Sequence, residues 1–288
     1  MLEERSGFKE FYPALCGFEQ KVETVEQYMQ AVDKAYRILW NENQTEANIK
    51  YSPKLWFRGL RDFDYPLLPS IARRGLNVEY ETIYLSKFKS KAVPYLNQVP
   101  IRPSCEGICA YWEWLFLMQH YGVPTRLMDW SEDALVALIF AIDLDASEEE
   151  KSKDAAVWCL NPVKLNTAFT FHDYYPEGYI PNVQEKGAYD IFGPQKNPFQ
   201  NKKPAAVYGP MNSPRIIVQR GTFTVFPYTV PLVDMKDLTD SYQYLIKIVL
   251  AKEFRTSLTE QLRRYGITKA QLMPELGSVA QEIFQEGP

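Results

Sequence analysis

The chain has 288 residues, of which 46% are hydrophobic and 14% aromatic, and a formal net charge of -4. This is enough material for a core that needs no disulfides. The acidic balance argues against a protein that coats nucleic acid by neutralising many phosphates, although a local basic groove stays compatible with nucleic acid. No stretch approaches the roughly 18 apolar residues of a membrane span, and the first residues lack the order of a secretory signal. We therefore expect a cytoplasmic protein that does not enter a membrane.

Cysteine and histidine usage bounds the chemistry further. The four cysteines, Cys16, Cys105, Cys109 and Cys159, show no paired metal-ligand spacing and are expected to be buried thiols of a reducing compartment. The chain has two histidines and no clustered carboxylate motif, so we expect no metal ion.

In the first half of the chain, apolar residues recur at helical spacing in several segments. Helices are predicted over 24–40, 79–95, 106–121 and 134–142, and a short aromatic strand over 55–59. Thr24 is expected to cap the first of these helices and Ser131 the fourth, which is apolar on every face and should be buried.

The second half is richer in strand patterns. Strands are predicted over 155–160, 205–208, 215–219, 222–226 and 244–250, followed by helices over 254–265 and 268–284. We expect an α+β fold with a split or strongly twisted mixed β-sheet and flanking helices. Residues 1–50 should form an N-terminal helical segment packed on a main domain over 51–288.

Three fragments place polar groups where the pattern predicts burial: Phe57-Arg58-Gly59, the run from Gln119 to Trp130, and the run from Gln219 to Phe223. Buried charge must be paired or used. Arg58 has the planar guanidinium that grips a phosphate or carboxylate with two hydrogen bonds, and Gly59 lets a ligand approach the backbone. The alternative is that Arg58 pairs with Asp129 and only fastens two elements together.

The middle fragment collects several reactive side chains in one turn-strand unit. His120, Tyr121, Thr125, Arg126 and Asp129 are expected to converge on one pocket. His120 ends a helix, where its charge state is tunable, and is either catalytic or structural. Arg126 and Asp129 are either a ligand-orienting pair or a structural clasp.

Together with the segments 66–73 and 266–268, these fragments resemble the FRG-domain family in order and content, over roughly residues 25 to 285. The family is named for its Phe-Arg-Gly motif, here Phe57, Arg58 and Gly59, and occurs widely in bacteria. The name itself implies no chemistry.

The order of the fragments also resembles the layout of ADP-ribosyltransferases. This resemblance implies that Arg58 and Gly59 hold NAD, with Thr125, Arg126 and Gln219 completing the NAD site. In those enzymes a late glutamate polarises the scissile ribose, whereas here Gln219-Arg220-Gly221 places a glycine at that position. Either another carboxylate such as Asp129 substitutes, or the nucleophile needs no base, or catalysis is absent.

The resemblance therefore implies an NAD-consuming toxin or antiviral defence effector that modifies RNA or another macromolecule, with a cognate antitoxin protein as a further partner. The side chains assigned to catalysis are Arg58, His120, Tyr121, Asp129 and Gln219. A noncatalytic ligand-binding or sensor module is the first alternative. A metal-independent nuclease that uses His120 is the second.

The segment from Phe169 to Lys203 alternates aromatic residues with lysines and is too long for a simple connection. The residues concerned are Phe169, Phe171, Tyr174, Tyr175, Tyr179, Tyr189, Lys196, Lys202 and Lys203. This combination suits single-stranded RNA, so the segment is expected to select the acceptor. The alternative is that the aromatic rings pack the segment onto the sheet.

Overall fold

The computed structural model describes residues 21–40, 54–99, 103–104, 107–143, 146–169, 175, 179–194, 203–211, 213–228 and 231–286. Within these ranges the helices are α1 (Val25–Trp40), α2 (Ser70–Arg73), α3 (Tyr80–Ala92), α4 (Gly107–His120), α5 (Ala134–Ala141), α6 (Glu148–Lys151), α7 (Pro162–Phe169), α8 (Lys186–Phe192), α9 (Pro214–Val218), α10 (Arg255–Arg264), α11 (Lys269–Leu272) and α12 (Leu276–Glu286). The strands are β1 (Trp56–Leu60), β2 (Leu127–Ser131), β3 (Ala155–Leu160), β4 (Ala205–Val207), β5 (Gly221–Val225) and β6 (Leu245–Leu250).

The chain divides into two compact units. Unit 1 comprises Met1–Tyr65, Ser131–Asn161 and Asp240–Pro288, and unit 2 comprises Pro66–Trp130 and Pro162–Thr239. Each unit combines helices with paired strands, which confirms the α+β class. The strand pairs with a described register are antiparallel, whereas a mixed sheet was expected.

Unit 1 is built around β3, which lies between β1 and β6 and is buried along its whole length. Arg58 of β1 is opposite Trp158 of β3, and Trp158 is opposite Lys247 of β6. Residues opposite one another on antiparallel strands share a face, so these three side chains form one row across the strands. The ammonium of Lys247 lies 5.4 Å from the centre of the Trp158 ring.

Helix α5 packs on β1 at unusually close range. A β-carbon added to Gly59 would lie 2.0 Å from the carbonyl oxygen of Ala137 and 2.7 Å from the amide nitrogen of Ala141. Both neighbours are backbone atoms that cannot turn aside. The glycine of the Phe-Arg-Gly motif is therefore required for the contact between this strand and this helix.

Helix α5 is predominantly buried, as its apolar sequence predicts, but its cap differs from the prediction. The carboxylate of Asp133 accepts hydrogen bonds from the backbone of Leu135 and Val136, so Asp133 is the N-cap. Ser131 instead accepts a hydrogen bond from the backbone N–H of Asp133. In α1 the expected cap is present, because the Thr24 hydroxyl accepts from the backbone N–H of Gln27.

Unit 2 has its own core, formed where α4 packs against β4 and β5. Val207 of β4 pairs with Phe223 of β5, and the Phe223 ring meets the edge of Phe116 at 4.5 Å between ring centres. The backbone N–H of Phe226, just after β5, donates to the carbonyl of Arg126, just before β2. This bond fixes the start of the strand that carries the site described below.

Two predicted elements are wrong in detail. Residues 215–219 were expected to form a strand because of their branched side chains, but they lie in or just after helix α9. Ser213 caps that helix and Pro214 occupies its first turn, and these local signals outweigh strand propensity. The predicted closing helix over 268–284 is divided into α11 and α12, because Pro274 cannot continue a helix.

No helix in the described part of the chain is long and apolar enough to span a membrane. Cys159 is buried in unit 1 and Cys109 of unit 2 is half-buried, and both are free thiols. Burial raises the pKa of Cys159 well above its ordinary value. Cys16 and Cys105 lie outside the described residues.

Candidate functional site

The site of interest in unit 2 is centred on Asp129. In β2 the other four residues are buried and Asp129 alone is exposed. An exposed carboxylate at this position loses little of its hydration, and the buried residues on either side of it in β2 hold its backbone in place. This combination of a rigid support and an accessible reactive group is what a catalytic side chain needs.

A chain of hydrogen bonds orients this carboxylate. The side-chain amide nitrogen of Gln119 donates to Oδ2 of Asp129 at 2.9 Å. The amide oxygen of Gln119 accepts from the hydroxyl of Thr125, and that hydroxyl also accepts from the backbone N–H of Leu127 at 3.3 Å. Because the two ends of the Gln119 amide are bonded to different partners, the amide cannot rotate without losing both bonds.

The loop that carries Thr125 is itself clamped. The Ser70 hydroxyl accepts from the backbone N–H of Thr125 at 3.0 Å and donates to its carbonyl at 3.2 Å. The backbone N–H of Ile71 donates to the same carbonyl at 3.1 Å. Thr125 thus serves to position Gln119 and, through it, Asp129.

His120 and Tyr121 lie at the end of α4, beside Gln119 in sequence. The Tyr121 side chain is 55% exposed and His120 is half-buried, with the two rings edge to face at 4.9 Å between centres. Gly122 follows in the left-handed conformation, and its backbone N–H donates to the carbonyl of Gln119. This glycine ends the helix and returns the chain toward β2.

Arg126 points in the opposite direction, into the core of unit 2. Its side chain is fully buried, and its Nε donates to Oε1 of Glu81 on α3 at 3.0 Å. The backbone N–H of Arg126 donates to the other oxygen of Glu81 at 2.7 Å. The guanidinium also donates to the carbonyls of Phe192 and Phe226 and to the hydroxyl of Tyr111.

Two tyrosines complete this buried cluster. The hydroxyls of Tyr111 and Tyr228 both donate to Oε1 of Glu81 at 3.1 Å, and the Arg126 guanidinium lies 4.3 Å from the centre of the Tyr228 ring. Burial alone would lower the pKa of Arg126, but attraction from Tyr111, Glu81 and Tyr228 raises it above its ordinary value. Arg126 therefore stays charged, and its partner is Glu81 rather than the Asp129 of the predicted clasp.

Comparison with known protein families locates a domain that includes both the Asp129 site and the Phe-Arg-Gly strand. Residues 53–151 match the model of the FRG domain. The chain carries an FRG domain. No curated protein and no solved structure matches the chain.

In the FRG domain, Arg58 and Gly59 of the name-giving motif belong to unit 1. Arg58 is half-buried, and it lies in one row with Trp158 and Lys247. The row therefore has one cation on each side of the Trp158 residue. The space beside the Gly59 α-carbon is filled by the backbone of α5. The predicted roles of Arg58 in phosphate binding and of Gly59 in NAD binding stay predictions.

Gln219 lies beyond the part of the chain that matches the FRG domain. It was expected on a late strand, but it forms the C-terminal cap of α9, and Arg220 follows with a positive φ of 47°. The strand β5 begins only at Gly221. Gln219 is half-buried in this turn, and its proposed contact with the ribose stays a prediction.

The expected acceptor segment between 169 and 203 is described only in part. Its described residues include helix α8, and the rings of Tyr175 and Tyr179 stack at 4.8 Å. Tyr179 donates to Glu185, and Tyr189 meets the edge of Tyr111 in the core. These contacts favour the packing interpretation for the three tyrosines, while Phe171, Tyr174, Lys196 and Lys202 lie outside the described residues.

Sequence reasoning missed Gln119 and Glu81, the residues that organise the two polar clusters. Glu81 had a visible signal, because it lies on the same helical face as the buried Leu85 four residues later. For Gln119 the sequence offered one signal, its place at the start of the fragment from Gln119 to Trp130. No group of three or more His, Cys, Asp or Glu within the described ranges has a metal-binding arrangement.

Proposed function

We propose that the protein is an NAD-consuming ADP-ribosyltransferase-like enzyme in which Asp129 supplies the carboxylate that the late Gln219-Arg220-Gly221 segment lacks. The observation that supports this proposal is the exposed carboxylate on a buried strand, oriented by the Gln119 amide at 2.9 Å. A macromolecule is the acceptor, with RNA as the leading candidate. The role as a toxin or antiviral defence effector, and a cognate antitoxin as partner, follow from the resemblance alone.

In the proposed reaction, the glycosidic bond between the ribose and the nicotinamide of NAD breaks, and the electron pair leaves with nicotinamide. An acceptor hydroxyl forms the new bond to the same ribose carbon. Its proton passes to the Asp129 carboxylate, so charge and atoms balance. A positioned general base of this kind contributes about 10²- to 10⁴-fold in rate.

The predicted site residues of unit 2 differ in whether their side chains are accessible to NAD. Thr125 and Arg126 are fully buried and hydrogen-bonded within unit 2, so contact with NAD would require the cluster around them to open. Asp129 and Tyr121 are exposed, and His120 is half-buried. We therefore assign direct contact with NAD in unit 2 to these last three residues and give Thr125 and Arg126 a positioning role.

The test is release of nicotinamide from labelled NAD in the presence of total RNA or cell lysate, with label transfer followed in the same samples. Asp129→Asn keeps the shape of the side chain and its exposure but removes the base. We expect it to lower the rate by about 10²- to 10⁴-fold. The matched control is Asp237→Asn, which makes the same change at another exposed aspartate of unit 2.

Gln119→Leu provides a second readout. It should lower kcat more than it raises KM, because the carboxylate is still present but no longer oriented. Equal nicotinamide release by wild type and Asp129→Asn, with both folded by circular dichroism, would contradict the assignment of Asp129. Intact NAD across a broad screen of acceptors would contradict the transferase itself.

A second candidate function is a noncatalytic ligand-binding or sensor module. The observation that favours it is that Gly59 and Arg126, two residues of the motif fragments, are occupied by internal contacts. This alternative predicts that NAD or another small ligand raises the melting temperature without being consumed. Calorimetry combined with analysis of the recovered ligand separates the two functions.

A further inference from the structure

The outward face of α3 carries a pattern that the Asp129 site does not use. Tyr80, Tyr84, Lys87 and Lys91 follow one another at intervals of four, three and four residues, which places them in one stripe along the helix. At 1.5 Å per residue the stripe is about 16 Å long. Tyr84 is half-buried and the other three side chains are exposed.

A second face of α3, beside the stripe, is fixed to the core of unit 2. Glu81 and Leu85 are buried, and Glu81 holds both the side chain and the backbone of Arg126. Phe88 meets the edge of the Trp114 ring at 6.3 Å between centres. The helix therefore cannot roll, and the stripe is presented to solvent in a fixed orientation. Its anchor, Arg126, is three residues from Asp129 in sequence.

The exposed charge of this helix is positive although the chain as a whole is acidic. The acidic residue within α3 is Glu81, which is buried and paired, whereas Lys87, Lys89 and Lys91 all follow it. Lys89 lies 5.7 Å from the centre of the Trp114 ring, at the edge of the basic half. The exposed carboxylate of Glu79 precedes the helix and is eight residues from Lys87, about 12 Å along the helix axis.

The aromatic half of the stripe offers the exposed ring of Tyr80 and the accessible part of Tyr84, which also packs against the core of unit 2. The Tyr80 and Tyr84 rings are 6.5 Å apart between centres and inclined by 36°. Proteins that bind single strands combine lysines for the phosphates with aromatic rings on which bases stack. A duplex hides its bases, so this arrangement favours a single strand over a double helix.

We infer that the α3 stripe, defined as Tyr80, Tyr84, Lys87 and Lys91, is a docking surface for single-stranded nucleic acid. This deepens the proposed function by assigning the surface on which a single-stranded acceptor docks, and it rests on that function only for the transfer step. An anionic membrane is the competing partner of a basic helix. The stripe fits it poorly, because Leu85 is turned inward and Ile83 is the exposed aliphatic residue of α3.

The experiment measures binding of a labelled single-stranded RNA of about 12 nucleotides by fluorescence anisotropy, without NAD and at several salt concentrations. Lys87→Glu with Lys91→Glu should weaken binding at least tenfold. It should also reduce the slope of log affinity against log salt by about 1.4, since each phosphate contact contributes about 0.7. The control, Lys34→Glu with Lys252→Glu, makes the same charge change at two exposed lysines of unit 1 and should leave the slope unchanged.

The tyrosines are tested by a pair of variants that separates stacking from the hydroxyl. Tyr80→Ser with Tyr84→Ser should lose roughly tenfold in affinity per ring, whereas Tyr80→Phe with Tyr84→Phe should bind like wild type. Rescue by phenylalanine is a result that a loss of folding cannot produce. Duplex RNA of the same length should compete poorly.

The inference is overturned by absence of RNA binding, by binding that the stripe variants leave unchanged, or by stripe-dependent binding to phosphatidylserine vesicles without RNA binding. Nicotinamide release is followed in the same preparations. Wild-type protein that consumes NAD but does not bind RNA would refute this inference alone. RNA binding with NAD left intact would support the inference and refute the proposed transferase.

Discussion

Replacement of Arg126 by methionine distinguishes a structural arginine from one that binds a ligand. The change keeps most of the side-chain volume but removes the charge that Glu81 faces in a fully buried cluster. Breaking one partner of such a pair costs about 3–5 kcal/mol, because the other charge is left buried and uncompensated. The hydrogen bonds that the guanidinium donates to the carbonyls of Phe192 and Phe226 are lost as well, and a bond from a charged group contributes about 1.5–3 kcal/mol.

These costs are large beside the whole stability of a domain, which is about 5–15 kcal/mol. We therefore expect Arg126→Met to lower the urea midpoint strongly. Glu81→Leu should also lower it, because the charge of Arg126 is then left buried without its carboxylate. The double variant Glu81→Leu with Arg126→Met should lose less than the sum of the two, with a coupling of about 0.5–3 kcal/mol, because no unpaired charge remains. It should still fall below wild type, since the hydrogen bonds from Arg126 to the two carbonyls stay absent.

Urea unfolding followed by circular dichroism and tryptophan fluorescence measures all three variants. Trp112 is a suitable reporter because its ring centre lies 5.5 Å from the Arg126 guanidinium. Arg74→Met is the control, since Arg74 is an exposed arginine of the same unit. An Arg126→Met protein that keeps wild-type stability while losing NAD binding would refute the structural role.

Two further changes test unit 1. Gly59→Ala places its β-carbon against backbone atoms of α5 and should destabilise the protein by about 1–3 kcal/mol, as overpacked cores do, and unchanged thermal unfolding would show that this contact is not tight. Burial raises the pKa of Asp62, but the hydrogen bonds from Lys153 and the backbone of Asp64 bring it below its ordinary value. The stability that Asp62 contributes is therefore complete above its unfolded pKa of about 3.9 and is lost as the pH falls through the folded value. Urea midpoints measured between about pH 5 and pH 3 should fall less steeply in Asp62→Asn than in wild type, and equal slopes would contradict this assignment.

The periodic signals of the sequence predicted the helices well. The apolar spacing over 24–40 and 106–121 corresponds to α1 and α4, because one face of each helix must meet a core. The error at residues 215–219 has a local cause. Branched residues suggested a strand, but the Ser213 cap and Pro214 determine the backbone of such a short segment.

The polar clusters were harder to predict because their partners are distant in sequence. Glu81 is 45 residues from Arg126, and only tertiary packing brings them together, so the sequence favoured the nearby Asp129 as the partner. The sequence did indicate that Thr125, Arg126 and Asp129 lie in one turn-strand unit. It could not show that Arg126 is buried while Asp129 is exposed, because Leu127 and Ser131 share a strand face with Asp129 and are themselves buried.

The most direct test of the central claim is a crystal structure of the Asp129→Asn variant with NAD. The substitution slows the proposed chemistry while leaving the Gln119 and Thr125 hydrogen bonds to hold the position of the side chain. We predict that the ribose attached to nicotinamide lies within hydrogen-bond distance of residue 129, close to Tyr121. NAD bound away from residue 129, or no NAD at saturating concentration, would contradict the account.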